Sequence, residues 1–179
     1  MKAIETFYRG YRFRSRLEAR WAVFLDCCGI KWQYEPEGYD LGDAGCYLPD
    51  FWLPLPLEYQ QYPSSGYWLE IKGQMPTQDE LDKLASLTHQ TKHSGWLVVG
   101  QPGQHKRFIA HHTGNSGWMD FSIHPHLPND FDAYNMVAHL PNTSMNYDMD
   151  DMINTAILTA RQVRFEHNDN LLRHLESNI

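Results

Sequence analysis

Two short runs, Cys46 to Pro54 (CYLPDFWLP) and Gly66 to Gly73 (GYWLEIKG), set charged side chains among the aromatic and branched residues that fill a sheet. Asp50 stands in the first, Glu70 and Lys72 in the second. Stripping water from an ion costs far more than packing returns, so a core tolerates such groups only when they are paired or hold a metal. Alternate residues of a strand share a face, so Glu70 and Lys72 point one way while Leu69 and Ile71 point the other. Any fold for this chain must bring compensating charge to one face of a buried sheet.

The flanking segments supply the other elements. From Ser15 to Cys28 the residues Leu17, Trp21, Phe24, Leu25 and Cys28 recur at helical spacing, and Gly29 follows as a stop. Ile30 to Pro36, Gly45 to Pro54 and Tyr67 to Gly73 read as three strands, the last two separated by a Pro-rich loop. Thr77 to Glu80 fits a capping box opening a second helix, with Leu81, Leu84, Ala85 and Thr88 as its buried stripe and Gly95 as its end. Trp96 to Gly100 reads as a buried strand. Arg107 to His112 and Gly117 to Ile123 are expected to form a hairpin, and Pro125 to Asn146 an extended excursion without periodicity. Met149, Met152, Ile153, Ala156, Ala160 and Val163 restore the helical period between Asp148 and His167, and the tail after it adds a short helix or frays. The expected architecture is α/β: helix, three-strand meander, helix, strand, with residues 1–124 as the main domain and residues 125–179 as an irregular segment and C-terminal helix packed on it.

With 179 residues and 42% hydrophobic content the chain has material for one well-packed core. It holds no apolar run of the ~18 residues that cross a bilayer, and its N-terminus lacks the pattern of a signal peptide, so a soluble cytoplasmic protein is expected. Cys27, Cys28 and Cys46 form no CxxC pair and are expected to be reduced, buried thiols. The His111-His112 and His124-x-His126 pairs lack the Cys-rich spacing of structural zinc. The net charge of -7 runs against a protein coated by nucleic acid, yet Arg9, Arg12, Arg14, Arg16 and Arg20 crowd the first twenty residues.

Two carboxylates on neighbouring strands, with a lysine two residues beyond the second, provide what a hard divalent cation needs: Asp50, Glu70 and the main-chain carbonyl of Ile71 as ligands, completed by water and substrate phosphate. Magnesium or manganese held there would polarise a phosphodiester and activate a water molecule. The bland reading of the same residues is structural, with Glu70 paired to Lys72 and Asp50 to an arginine.

Pro49-Asp50 followed by Glu70-Ile71-Lys72 resembles the PD-(D/E)XK nuclease superfamily, and Phe13 to Glu37 (FRSRLEARWAVFLDCCGIKWQYEPE) is similar to the first helix and strand of its phage and bacterial members. Thr159 to His167 also looks like the closing helix of that group. The resemblance implies a restriction-endonuclease-like core and magnesium-dependent DNA cleavage, with Glu18 completing an acidic cluster of Glu18, Asp50, Glu70 and Lys72. Ser15 to Glu18 also fits a capping box, but Glu18 lies beside Leu17, Trp21 and Leu25, so the inward role is the preferred reading. Lys72 is expected to stay charged, orienting water and steadying negative charge on the phosphate. Arg14, Arg16, Arg161 and Arg164 are the candidate phosphate contacts, with an exposed charged face as the alternative, and Gln90 or Lys92 of the second helix more simply solvated. Cutting both strands of a duplex asks for two such sites, hence a homodimer. The competing reading is a catalytically silent nuclease-fold protein that engages DNA or a host or phage protein.

Overall fold

The computed structural model describes residues 4–55, 65–110, 122–124 and 148–165. A hairpin of β1 (Thr6–Tyr8) and β2 (Tyr11–Phe13) leads into helix α1 (Arg16–Cys27). Then come β3 (Gln33–Tyr34), a small hairpin of β4 (Tyr39–Asp40) and β5 (Cys46–Tyr47), β6 (Phe51–Pro54), β7 (Gly66–Lys72) and helix α2 (Gln78–Thr91). Strands β8 (Gly95–Gln101), β9 (Gln104–Ala110) and β10 (Ser122–His124) precede helix α3 (Asp148–Gln162).

Among the described residues six strands form one mixed sheet in the order β10-β9-β8-β7-β6-β3, in which β7 and β8 run parallel and the other neighbours antiparallel. That parallel pair needs a crossover, and α2 supplies it. The chain is therefore a mixed α/β fold, with α1 and α3 sharing one core against the sheet and α2 packed elsewhere on it. The division follows the pleat: Phe51, Leu53, Leu69, Ile71, Trp96, Val98 and Ile109 share a core with α1 and α3. Leu97, Phe108 and Ala110 cluster with Leu84 of α2, and Trp68 with Leu87 of α2 and Leu41. Buried Ala19 and Ala22 on α1 and Ala156 and Ala160 on α3 leave room for these two helices to approach closely. Helix α3 also reaches the β8–β9 turn, where a Cβ on Gly103 would come within 2.6 Å of Ile157.

Several expectations are met in place: α1 opens on Ser15, α2 opens on a full capping box at Thr77 and Glu80, and β10 pairs antiparallel with β9. Others need correction. The run from Gly45 to Pro54 is two strands, because Pro49 has no N–H to continue a ladder and the chain leaves β5 for the large sheet at Phe51. The strand expected from Ile30 to Pro36 shrinks to Gln33–Tyr34. Helix α2 ends at Thr91, with Lys92 in the left-handed conformation, and Gly95 instead opens β8. Cys28 is buried and its thiol pushed up to about 12 by burial, and Cys27 is half-buried, but Cys46 is exposed. His111, His112, His126, the expected excursion and the tail lie outside the described residues. Among the described residues no helix is long and apolar enough to cross a membrane.

Candidate active site

The β6–β7 register, with Phe51 opposite Leu69, continues by one step to set Asp50 opposite Glu70. The two side chains meet: the Asp50 N–H donates to Glu70 Oε2 (3.2 Å), and the Ile71 N–H donates to Asp50 Oδ2 (2.7 Å). They are 3% and 5% exposed. Lys72 Nζ lies 3.0 Å from Glu70 Oε1 and 2.9 Å from Glu80 Oε1, the glutamate that also caps α2. The Tyr47 hydroxyl, carried in by β5, is hydrogen-bonded to Glu70 as well. On the other side Arg14 donates to Asp50 Oδ1 (2.8 Å) and also pairs with Glu35.

Glu18 joins the cap of α1 to the interior. Its N–H and Oε1 engage Ser15 Oγ (3.2 and 2.6 Å), closing the helix cap. Its Oε2 accepts from the Tyr34 hydroxyl (2.6 Å) and the Arg14 N–H (3.1 Å), so the side chain is turned inward and buried. Glu18 thereby fixes the backbone from which Arg14 reaches Asp50, and its charge is felt at Asp50.

Burial, followed by the Glu70 and Glu18 charges, pushes Asp50 well above the usual carboxylate range, against the opposing pull of the Ile71 N–H and Arg14. Burial also raises Glu70, although Lys72, Tyr47 and the Asp50 N–H favour its charged form. Burial works against the charge on Lys72, but Glu70 and Glu80 outweigh it and hold the amine above the ordinary lysine range. Lys72 is therefore an ammonium at neutral pH, in line with the role of orienting water and against that of a neutral base.

Among the described residues four chained carboxylates, Glu35, Asp50, Glu70 and Glu80, thus share two cations, Arg14 and Lys72, with Glu18 joined to Arg14 through its backbone N–H. That imbalance, made of oxygen donors alone, fits a hard divalent ion at Asp50 and Glu70, since each carboxylate has about four lone-pair directions and these hydrogen bonds occupy only some. Among the described residues no group of three His, Cys, Asp or Glu side chains forms a cage for a metal. A two-carboxylate magnesium site is completed by waters and phosphate instead.

Among the described residues several of the N-terminal arginines are drawn into ion pairs. Arg9 pairs with Asp26 and Arg12 with Glu5, so neither stands as a bare charge. Arg14 is spent on Asp50 and Glu35, although its side chain is about half exposed. Arg16 is half-buried in the first turn of α1, and Arg161 and Arg164 are exposed at the end of α3, whose core residues lie on the sheet face opposite Glu70 and Lys72. Gln90 and Lys92 are exposed at the end of α2. The pattern of the chain gave no notice of Tyr34, Tyr47 or Glu80; the only available signal for Glu80 was its capping box, which places it one strand end away from Lys72.

Because Arg14 occupies one oxygen of Asp50, it competes with any cation there. Arg14→Gln is expected to tighten magnesium binding, measured by calorimetry, on the order of tenfold, the worth of one charge-assisted hydrogen bond. Unchanged or weaker binding would show that the guanidinium does not compete.

No protein-family model, no curated protein and no solved structure matches this chain at a significant level.

Proposed function

We propose that the chain is a metal-dependent endonuclease that hydrolyses phosphodiester bonds in DNA, built on a restriction-endonuclease-like core. One observation carries the reading: Asp50 and Glu70, both almost fully buried, face each other across β6 and β7 with Lys72 on the same face. Magnesium or manganese bound by Asp50, Glu70 and the Ile71 carbonyl would polarise the scissile phosphate and lower the pKa of the attacking water. Lys72, kept protonated by Glu70 and Glu80, steers that water and opposes the negative charge that develops on phosphate. Tyr47 holds Glu70 through its hydroxyl, and Glu18 holds the turn that carries Arg14. Arg14, half exposed, is positioned to leave Asp50 for a phosphate oxygen.

A second reading has its own support. Asp50 and Glu70 already have internal partners in Arg14 and Lys72, as a silent nuclease-fold protein binding DNA or a host or phage protein would require. The two readings separate in one assay. Purified protein is incubated with single-stranded, duplex and branched DNA in magnesium or manganese, with and without a chelator. Metal-dependent cleavage that the chelator abolishes is expected; equal integrity of all substrates with and without metal sinks the enzymatic reading.

A further inference from the structure

Beside the acids lies a cavity of about 390 Å³ that the cleavage chemistry does not use, lined by Gln33, Glu37, Tyr39, Trp52, Trp68 and His93. Its size falls at the small end of the ~300–1,000 Å³ typical of ligand sites. Trp52 and Trp68 are cross-strand partners on β6 and β7 with ring centroids 4.6 Å apart. Tyr39 meets Trp68 edge-on at 5.4 Å, and His93 lies 4.8 Å from Trp52. These walls are held in place. Trp68 Nε1 donates to Thr91 Oγ1 (3.0 Å) and the Tyr39 hydroxyl to Glu37 (3.2 Å). The Trp52 indole sits over Gly66, where a Cβ would lie 2.5 Å from Cζ2.

The position of the cavity matters more than its existence. Trp52 follows Asp50 by two residues and Trp68 precedes Glu70 by two, so on one sheet face aromatic and acidic pairs stand one pleat repeat, ~7 Å, apart. Tyr39 is moreover the cross-strand partner of Tyr47, whose hydroxyl holds Glu70. A group seated against the tryptophans is therefore tied to whatever occupies the acids.

We propose that this cavity is a subsite for an unstacked nucleobase, which makes the substrate a nucleic acid with an unpaired base beside the scissile phosphate; the inference rests on the phosphodiester reading of the acids. Among the described residues no lysine or arginine lines the cavity and Glu37 does, so it repels a phosphate; Trp68 is buried behind it, and the half-buried rings of Trp52, Tyr39 and His93 are what a base can stack on. Glu37 and Gln33 supply acceptors for an amino group on the base edge, a donor that cytosine presents at N4 and thymine lacks. A base inside a duplex has both faces covered and enters only when flipped or already unpaired. Single strands, flaps and junctions are thus favoured over intact duplex. Aromatic walls with a carboxylate would also suit an alkylammonium ion, but the adjoining acids point to a nucleotide.

The test is binding of labelled oligo(dC), oligo(dT) and a blunt duplex of equal length, followed by anisotropy in chelator so that no cleavage occurs. Full-length wild type is compared with Trp52→Ala, Trp52→Phe, His93→Ala and Glu37→Gln, each checked for folding by circular dichroism. Trp52→Ala is expected to weaken oligo(dC) binding roughly five- to hundredfold, the range of one base–aromatic stack, with duplex binding unchanged and Trp52→Phe largely retaining affinity. Glu37→Gln should narrow the preference for oligo(dC) over oligo(dT). If Trp52→Ala does not fold, a loss in His93→Ala and the narrowed preference in Glu37→Gln decide in favour. Wild-type affinity in every folded variant overturns the proposal, as does tryptophan quenching by tetramethylammonium at lower concentration than by cytidine. Its failure is distinguishable from that of the nuclease reading: cleavage with no Trp52 dependence sinks the base subsite alone, and Trp52-dependent binding without cleavage sinks the enzyme alone.

Discussion

Asp50→Asn is expected to abolish metal-dependent DNA cleavage, with a loss of about a thousandfold or more, because it removes a ligand charge worth several kcal/mol of transition-state stabilisation. The same substitution is expected to leave the metal-free protein at least as stable as wild type at pH 8. The folded environment raises Asp50 well above the ordinary carboxylate range, mainly through burial and the neighbouring Glu70 and Glu18 charges, so it favours the neutral form. Between the unfolded value of ~3.9 and the raised folded one, the native state holds a proton that the unfolded state has released. Stability of the wild type therefore falls as pH rises through that window and stays lower above it. Asparagine carries no such charge, so the variant's melting temperature in chelator should decline less between pH 5 and pH 8. A melting temperature well below wild type at pH 8 would mean instead that the Arg14 pairing outweighs burial and repulsion together.

Trp21→Ala should produce the largest loss of stability of any single change in α1. Trp21 is 1% exposed, and its indole N–H donates to the Gly100 carbonyl at the end of β8 (3.0 Å). Its ring packs edge-on against Phe24 and His105. Truncating a buried tryptophan costs roughly 3–5 kcal/mol, and the orphaned carbonyl adds about 1 kcal/mol. Against a total stability of ~5–15 kcal/mol, this lowers the melting temperature by about 10 °C or more in a chain of this size. Urea unfolding checks it; a loss below about 1 kcal/mol would show that the helix does not depend on this contact.

Much of the candidate site was legible in the chain because it depends on local rules. Strand alternation places Glu70 and Lys72 on one face, and the helix caps at Ser15 and Thr77 rest on residues three apart; all of these appear as read. The neighbouring of Asp50 and Glu70 needed one further assumption, antiparallel pairing of successive strands, and the register supplies it. What stayed hidden is set by tertiary geometry. No local pattern tells that Arg14 turns in toward Asp50, that Tyr34 caps Glu18, or that a two-strand hairpin interrupts the meander to bring Tyr47 to Glu70.

The boundary errors have the same origin. Cys46 to Pro54 reads as a single apolar run, but its halves pair with different strands, and only the missing N–H of Pro49 hints at the break. The β1–β2 hairpin carries its signal in a two-residue Arg-Gly turn between aromatic residues, too short for periodicity to register. The five arginines of the first twenty residues read equally as a phosphate-binding patch or as a solvated face. Three of the five have acidic partners that become neighbours only on folding.

Helix α3, whose Ile153, Ala156, Ala160 and Val163 complete the interior begun by α1, enters the polypeptide more than a hundred positions after it. During synthesis the greasy flank of α1 that α3 covers must wait until α3 emerges. The slow step of maturation then belongs to that long-range closure, and the interval before it is when a chaperone has most to shield.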